Sequence, residues 1–209
     1  MMKILIADDH ALLRKGLIRI LQDRYVDASI YEASGEHDIF PLLRSIQFDF
    51  IILDISMPGR GGVDILKDIR SMGLKVPVLI LSMHPEEQYA VRVLKSGASG
   101  YLNKDSAPEL LIEAIETILL GKKFISQLVS QQLAADAFTN TTTIKHELLS
   151  DREMQVLVAI ASGKATGEIA EELSLSVNTI STYRARVLEK LELTSNAALA
   201  RYAIENHLI

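Results

Sequence analysis

The stretch FIILDISMPGRGG, residues 50–62, decides which fold the chain adopts. Four consecutive apolar residues, Phe50 to Leu53, have the composition of a strand covered on both faces, and such a strand belongs in the dry middle of a parallel sheet. The run stops at a carboxylate, Asp54, just before a Pro-Gly turn. An aspartate after a strand is commonly a turn former or helix cap. Its meaning therefore depends on what other strands deliver to the same edge.

From residue 3 to about 120, short apolar runs alternate with helical periods. The runs are KILIA (3–7), ASIYEA (28–33), FIIL (50–53), VPVLILS (76–82) and GYL (100–102). The segments between them carry apolar residues three and four apart. Five strand-helix pairs predict a doubly wound, five-stranded parallel sheet with helices on both faces. In such sheets ligands sit outside the carboxyl ends of the strands, where the winding direction reverses. The first strand ends in Asp8 and Asp9, the third in Asp54, the fourth in Ser82, and the fifth runs from Tyr101 to Lys104, so all of these gather on one edge.

Three carboxylates packed together repel, each pair by about 4 kcal/mol at 4 Å and an effective dielectric near 20. A cation relieves this. The ligands on offer are hard oxygens, with no Cys and no paired His, which points to Mg²⁺ retaining several waters. With Lys104 opposite, the edge becomes a pocket for a transferring phosphoryl group, and Asp54 its nucleophile.

Residues 122–146 break the rhythm with amide-rich and then threonine-rich composition and are read as a linker holding a short helix over 126–137. From about 147 no strand signal remains. Ser150 and Glu153 form a capping box, a helix closes at Gly163, and helical patterns follow at 166–173, 177–191 and 195–206. A helix, a three-residue turn at 174–176 and a longer helix make a helix-turn-helix. On the 177–191 helix, Val177, Ile180, Val187, Leu188 and Leu191 face the preceding helix. Asn178, Ser181, Thr182, Ala185 and Arg186 face outward, with Thr179 at the N-terminus where backbone N–H groups can bind phosphate. Arg186 and Lys190 are placed to reach phosphates or guanine edges. Arg184 falls on the apolar side and either snorkels to a DNA backbone or pairs internally.

Composition bounds the reading. The 209 residues are 48% hydrophobic and 23% charged, a soluble globular profile. Absence of cysteine excludes disulfides and thiolate chemistry, and no apolar run approaches the roughly 20 residues needed to cross a bilayer, so a cytoplasmic protein with nothing cleaved is expected. Residues 147–209 hold six Lys and Arg against nine Asp and Glu, which lacks the basic excess of a tight DNA binder and calls for two copies on adjacent half-sites. The five histidines show no metal-ligand spacing and are assigned nothing.

The motifs ADDH, LDISMPGRGG, LILSMH and GASGYLNKD make residues 3–120 resemble the response-regulator receiver domain, a flavodoxin-like fold. LSDREMQVL, GKATGEIAEELSLSVNTISTYRARVLEKL and SNAALARYAIENHLI make residues 148–209 resemble the all-α, four-helix LuxR-type helix-turn-helix. Together they resemble the NarL/FixJ family of transcriptional response regulators, which implies a receiver at 1–121, a linker at 122–146 and a DNA-binding domain at 147–209. The resemblance further implies that a sensor histidine kinase phosphorylates Asp54. It implies that Asp9 and Asp54, Asp8 through water and the Ser56 carbonyl hold Mg²⁺, that Ser82 and Lys104 bind phosphoryl oxygens, and that Tyr101 turns as the switch. It implies binding to double-stranded DNA as a homodimer, with Asn178, Thr179, Ser181, Thr182, Arg184, Arg186 and Lys190 at the interface. Asp105 stands where most receivers have proline. Two other readings fit the same residues, a Mg²⁺-dependent aspartyl-phosphate phosphohydrolase and an adaptor whose helical unit binds protein.

Overall fold

The computed structural model describes residues 1–57, 61–138, 145–173, 175–206 and 208–209, with side chains left aside at 87, 88, 132, 135–138 and 147. The Pro58-Gly59 turn, the threonine-rich residues of the expected linker, Ser174 of the expected turn and His207 lie outside the described residues. The chain divides into two compact units, Met1–Asn140 and Thr141–Ile209.

In the first unit the apolar runs become β1 (Lys3–Ala7), β2 (Ser29–Ala33), β3 (Phe50–Asp54), β4 (Val78–Ser82) and β5 (Gly100–Asn103). All pair in parallel, in the order β2-β1-β3-β4-β5. The intervening helices are α1 (Ala11–Arg24), α2 (Glu36–Ser45), α3 (Gly62–Ser71), α4 (Glu86–Lys95) and α5 (Ala107–Leu119). Every residue of β3 and β4 is buried, as their unbroken apolar runs require. On one face Ile4, Ile6, Phe50, Ile52, Leu79 and Leu81 pack with Leu17 and Leu21 of α1 and with the apolar side of α5. The order reverses between β1 and β3, and because Ala7 is in register with Leu53, Asp8 emerges beside Asp54.

Two glycines mark where backbones touch. A Cβ on Gly62 would lie 2.2 Å from the Asp54 carbonyl oxygen, so the first turn of α3 rests directly on the end of β3. At the outer edge of β5, the segment after α5 folds back and Phe124 bridges Gly100 in parallel. Phe124 N–H donates to Ser99 O at 3.2 Å and Tyr101 N–H donates to Phe124 O at 3.0 Å. A Cβ on Gly100 would meet that same Phe124 oxygen at 2.8 Å. An edge strand otherwise left with open hydrogen-bonding groups is thus covered by its own chain. Ser126 N–H then donates to Glu86 Oε1 at 2.8 Å, the Ser126 hydroxyl accepts Val129 N–H at 3.3 Å, and α6 (Gln127–Phe138) packs against α4 with Val129 fully buried. Much of the stretch expected to be linker is therefore part of the first unit.

The second unit is helical: α7 (Asp151–Ala161), α8 (Thr166–Glu172), α9 (Val177–Leu191) and α10 (Asn196–Glu205). The Ser150-Glu153 capping box forms in both directions. Met154, Leu157, Ile169, Ile180, Val187 and Leu199 are among its buried side chains. Val177, expected in that core, is half exposed, because as the first residue of α9 it stands ahead of the packed turns.

Gly62→Ala and Gly100→Ala should each lower stability by about 1–3 kcal/mol, the cost of forcing a methyl against backbone. Gly16→Ala, with nothing within 4 Å in an exposed turn of α1, should instead raise it by about 0.5–1 kcal/mol. Urea midpoints measure both; equal midpoints for all three variants would contradict the packing described.

Candidate functional site

Strand ends deliver the polar residues that the sequence singles out to one buried cluster. Asp8, Asp54, Ser82 and Lys104 are all buried. The Lys104 ammonium bridges Asp8 Oδ2 at 2.7 Å and Asp54 Oδ2 at 2.8 Å. Asp54 Oδ1 accepts Ser56 N–H at 3.0 Å. Asp9, partly exposed, completes the group, and one ligand atom from each of Asp8, Asp9, His10 and Asp54 lies within 4.8 Å of the others.

The charges do not balance. One ammonium faces three carboxylates, which leaves an excess of two negative charges when all are ionised. Burial pushes the Asp54 carboxyl above the usual carboxylate range, with Lys104 opposing and Asp8 adding to the rise. For Lys104, burial works against its charge, but Asp54 and Asp8 together outweigh it and hold the ammonium above its ordinary range. Hard carboxylate oxygens converging on a shortfall of positive charge are the donor set that Mg²⁺ requires, so the residues present fit that ion.

Two histidines that the sequence left unassigned belong to this site. His10 Nδ1 lies 2.8 Å from Asp9 Oδ1 and 3.2 Å from Asp8 Oδ1, and its N–H donates to Asp8 Oδ1 at 2.7 Å. His84 ties the site to the end of the sheet. Its N–H donates to the Ser82 hydroxyl at 3.0 Å, its carbonyl accepts the Tyr101 hydroxyl at 2.8 Å, and its Nε2 stands 3.4 Å from Ser56 Oγ. The His84 ring stacks on buried Tyr89 at 4.6 Å between centroids. Metal-ligand spacing was the wrong filter for both. Adjacency to Asp8-Asp9, and to Ser82 in SMH, was the available signal.

On α9 the outward residues are as the helical period predicts: Asn178, Ser181, Thr182, Ala185 and Arg186 are exposed. With Thr179 and Tyr183, three of them (Asn178, Thr182 and Arg186) line an open recess of about 350 Å³. Thr179 is committed to the cap, its N–H donating to the Ser176 hydroxyl at 3.1 Å and its own hydroxyl 2.8 Å from that oxygen. Arg184 takes the internal alternative, its Nε donating to Asn196 Oδ1 at 2.6 Å. Lys190 is drawn back from the outward face, because its ammonium lies 2.6 Å from Glu153 Oε2 and also donates to Leu148 O at 3.2 Å. That carboxylate is buried, and an ammonium satisfies it better than water can reach it.

Residues 4–116 match the family described as "Response regulator receiver domain", and residues 147–203 match "Bacterial regulatory proteins, luxR family". Among curated proteins the chain is 34% identical to "Response regulator UvrY" of Escherichia coli (strain K12), over 100% of this chain and 96% of that one. Among solved structures it is similar to RcsB from Salmonella enterica serovar Typhimurium bound to promoter rprA in the presence of phosphomimetic BeF3-, with 25% identity, a TM-score of 0.61 and coverage of 96% of this chain and 97% of that one. A structure of two RcsB dimers bound to two parallel DNAs matches with 26% identity and a TM-score of 0.60, over 96% and 97% of the two chains. No described helix is long and apolar enough to cross a membrane.

For Glu153, burial alone would raise the carboxyl, but Lys190 and Ser150 reverse this and hold it below its usual range. A depressed carboxylate stabilises the fold above its unfolded pKa, and this contribution is lost as pH falls through the folded one. Glu153→Gln should therefore cost about 1–2 kcal/mol at pH 7, one charge-assisted bond's worth, with the deficit shrinking under acid. Denaturation curves at a series of pH values measure it; a deficit that grows on acidification would contradict the pairing.

Proposed function

This chain belongs to the two-component response regulators of the NarL/FixJ type, and from that premise we propose that a sensor histidine kinase phosphorylates Asp54 and so controls DNA binding by the helical unit. The observation that carries the proposal is the burial of Asp54 against Lys104 and Asp8 at the point where the strand order reverses. The phosphohydrolase reading falls away, since the family consists of transcriptional regulators and not of enzymes acting on external substrates. Loss of the phosphoryl group to water is the one turnover expected.

In the transfer step an Asp54 oxygen bonds to phosphorus while the phosphorus–nitrogen bond of the kinase's phosphohistidine breaks and the imidazole takes up a proton. Asp9, Asp54, the Ser56 carbonyl and, through water, Asp8 would hold Mg²⁺, which supplies the positive charge that the three phosphoryl oxygens need. Lys104 exchanges a carboxylate oxygen of Asp54 for a phosphoryl oxygen. Ser82, whose hydroxyl oxygen accepts the His84 N–H, keeps its own proton to donate to another.

Phosphorylation adds up to about two negative charges and three acceptor oxygens. As Ser82 turns toward them, the His84 loop shifts, and with it the Tyr101 hydroxyl bonded to the His84 carbonyl. Tyr101 N–H in turn holds Phe124, near the start of the segment 122–146 that we read as the linker, so the change reaches Phe124. In this reading residues 1–121 are the receiver and 147–209 the DNA-binding domain. The structures of RcsB bound to a promoter and of RcsB dimers bound to DNA support a homodimer on double-stranded DNA here; we assign the contact to α9 and the protein to the cytoplasm. Asn178, Ser181, Thr182 and Arg186 face the groove, Thr179 caps the helix near phosphate, and Arg184 and Lys190 brace the unit.

With a small phosphodonor and Mg²⁺, the wild-type chain should gain the mass of one phosphoryl group and its DNA affinity should rise. Asp54→Ala should gain none and keep the basal affinity. Intact mass and mobility shift read the two effects; uptake preserved in Asp54→Ala would refute the assignment.

A further inference from the structure

The proposed DNA-binding face carries an unusual share of hydroxyls, and their bonds decide what it offers a partner. Ser176 and Thr179 are engaged with each other at the cap. Thr182 Oγ1 donates to the Asn178 carbonyl one turn back, at 2.9 Å. A threonine whose hydroxyl is turned onto that carbonyl has a fixed rotamer, and its methyl group is left as the outward-facing atom. One turn along the same stripe stands Ala185, also exposed, with nothing but a methyl to present. At the ends of the stripe are the Asn178 amide and the Arg186 guanidinium, on residues about 12 Å apart along the helix axis and neither bonded to another described side chain.

The surface is therefore a pair of methyl groups, with the Ser181 hydroxyl beside them, flanked by a bidentate amide and a guanidinium. In the major groove the partner of a methyl group is the thymine 5-methyl, that of an asparagine amide is adenine, and that of an arginine is guanine. Electrostatics give the methyls added weight. Residues 147–209 carry more acidic than basic side chains, so phosphate attraction contributes little and discrimination falls to contacts with base edges.

We propose that α9 reads thymine through methyl contact, with Thr182 packing against the 5-methyl group of a central thymine and Ala185 against that of a neighbouring one, and that the Thr182 hydroxyl serves the helix and not the DNA. The operator half-site then has thymine at its centre, adenine toward Asn178 and guanine toward Arg186. This deepens the DNA-binding reading above and rests on it.

The test uses the full-length chain treated with a small phosphodonor, and a library of randomised duplexes. Wild type and Thr182→Val, which keeps the methyl and loses the hydroxyl, should enrich the same central thymine. Thr182→Ser, which keeps the hydroxyl and its bond, should lose that preference. Replacing the thymine with deoxyuridine should weaken wild type and Thr182→Val by about fourfold, the worth of one buried methyl group, and leave Thr182→Ser unaffected. If Thr182→Ser keeps the preference while Thr182→Val loses it, or if deoxyuridine binds wild type as well as thymine does, methyl readout is wrong although DNA binding stands. If no variant enriches any duplex, DNA binding itself fails, and this proposal with it.

Discussion

Burying Asp54 and Asp8 beside Asp9 with one ammonium between them is the constraint on which the first unit turns. Lys104 supplies one positive charge against three carboxylates, and His10, in contact with Asp8 and Asp9, is the other described titratable group at the cluster. The sheet fixes the backbone beneath the cluster: β3 is buried along its whole length, and Gly62 seats the first turn of α3 against the Asp54 carbonyl oxygen. A site held short of positive charge in a low-dielectric pocket favours a cation first and, once the cation is in place, an anion.

Hydrogen bonds also run from the site to the outer edge of the sheet. Ser82 is bonded to the backbone of His84, His84 to the hydroxyl of Tyr101, and Tyr101 to Phe124. Each link is a hydrogen bond of ordinary length between buried or partly buried groups, and each would be costly to leave unmade. The covering of β5 by residues 122–126 thus has two consequences: it closes an exposed sheet edge, and it fastens the segment that follows α5 to the strand that carries Tyr101.

Much of this was legible in the sequence because burial leaves a signature. Five apolar runs gave five strands within a residue or two, and carboxylates at their ends gave the cluster. What stayed hidden involves partners far apart in the chain. Phe124 sits in KKFIS, a stretch with no strand period, and covers β5 only because Gly100 leaves room for its backbone. Lys190 lies on the outer side of its helix by angle, yet Glu153, 37 residues earlier, pulls it inward. Val177 fits the apolar stripe of α9 but stands ahead of the turns that are packed. Periodicity reports which face of an element is dry, and it is silent about which distant charge has already claimed a side chain.

The central claim is that a divalent ion completes the carboxylate cluster, and a magnesium titration followed by thermal unfolding tests it most directly. At constant ionic strength, Mg²⁺ should raise the stability of the wild-type chain by about 2.7 kcal/mol at a concentration a hundredfold above its dissociation constant, and Asp9→Asn should lose most of that gain. A wild-type melting temperature that does not respond to Mg²⁺, or a gain that Asp9→Asn retains in full, would contradict the account.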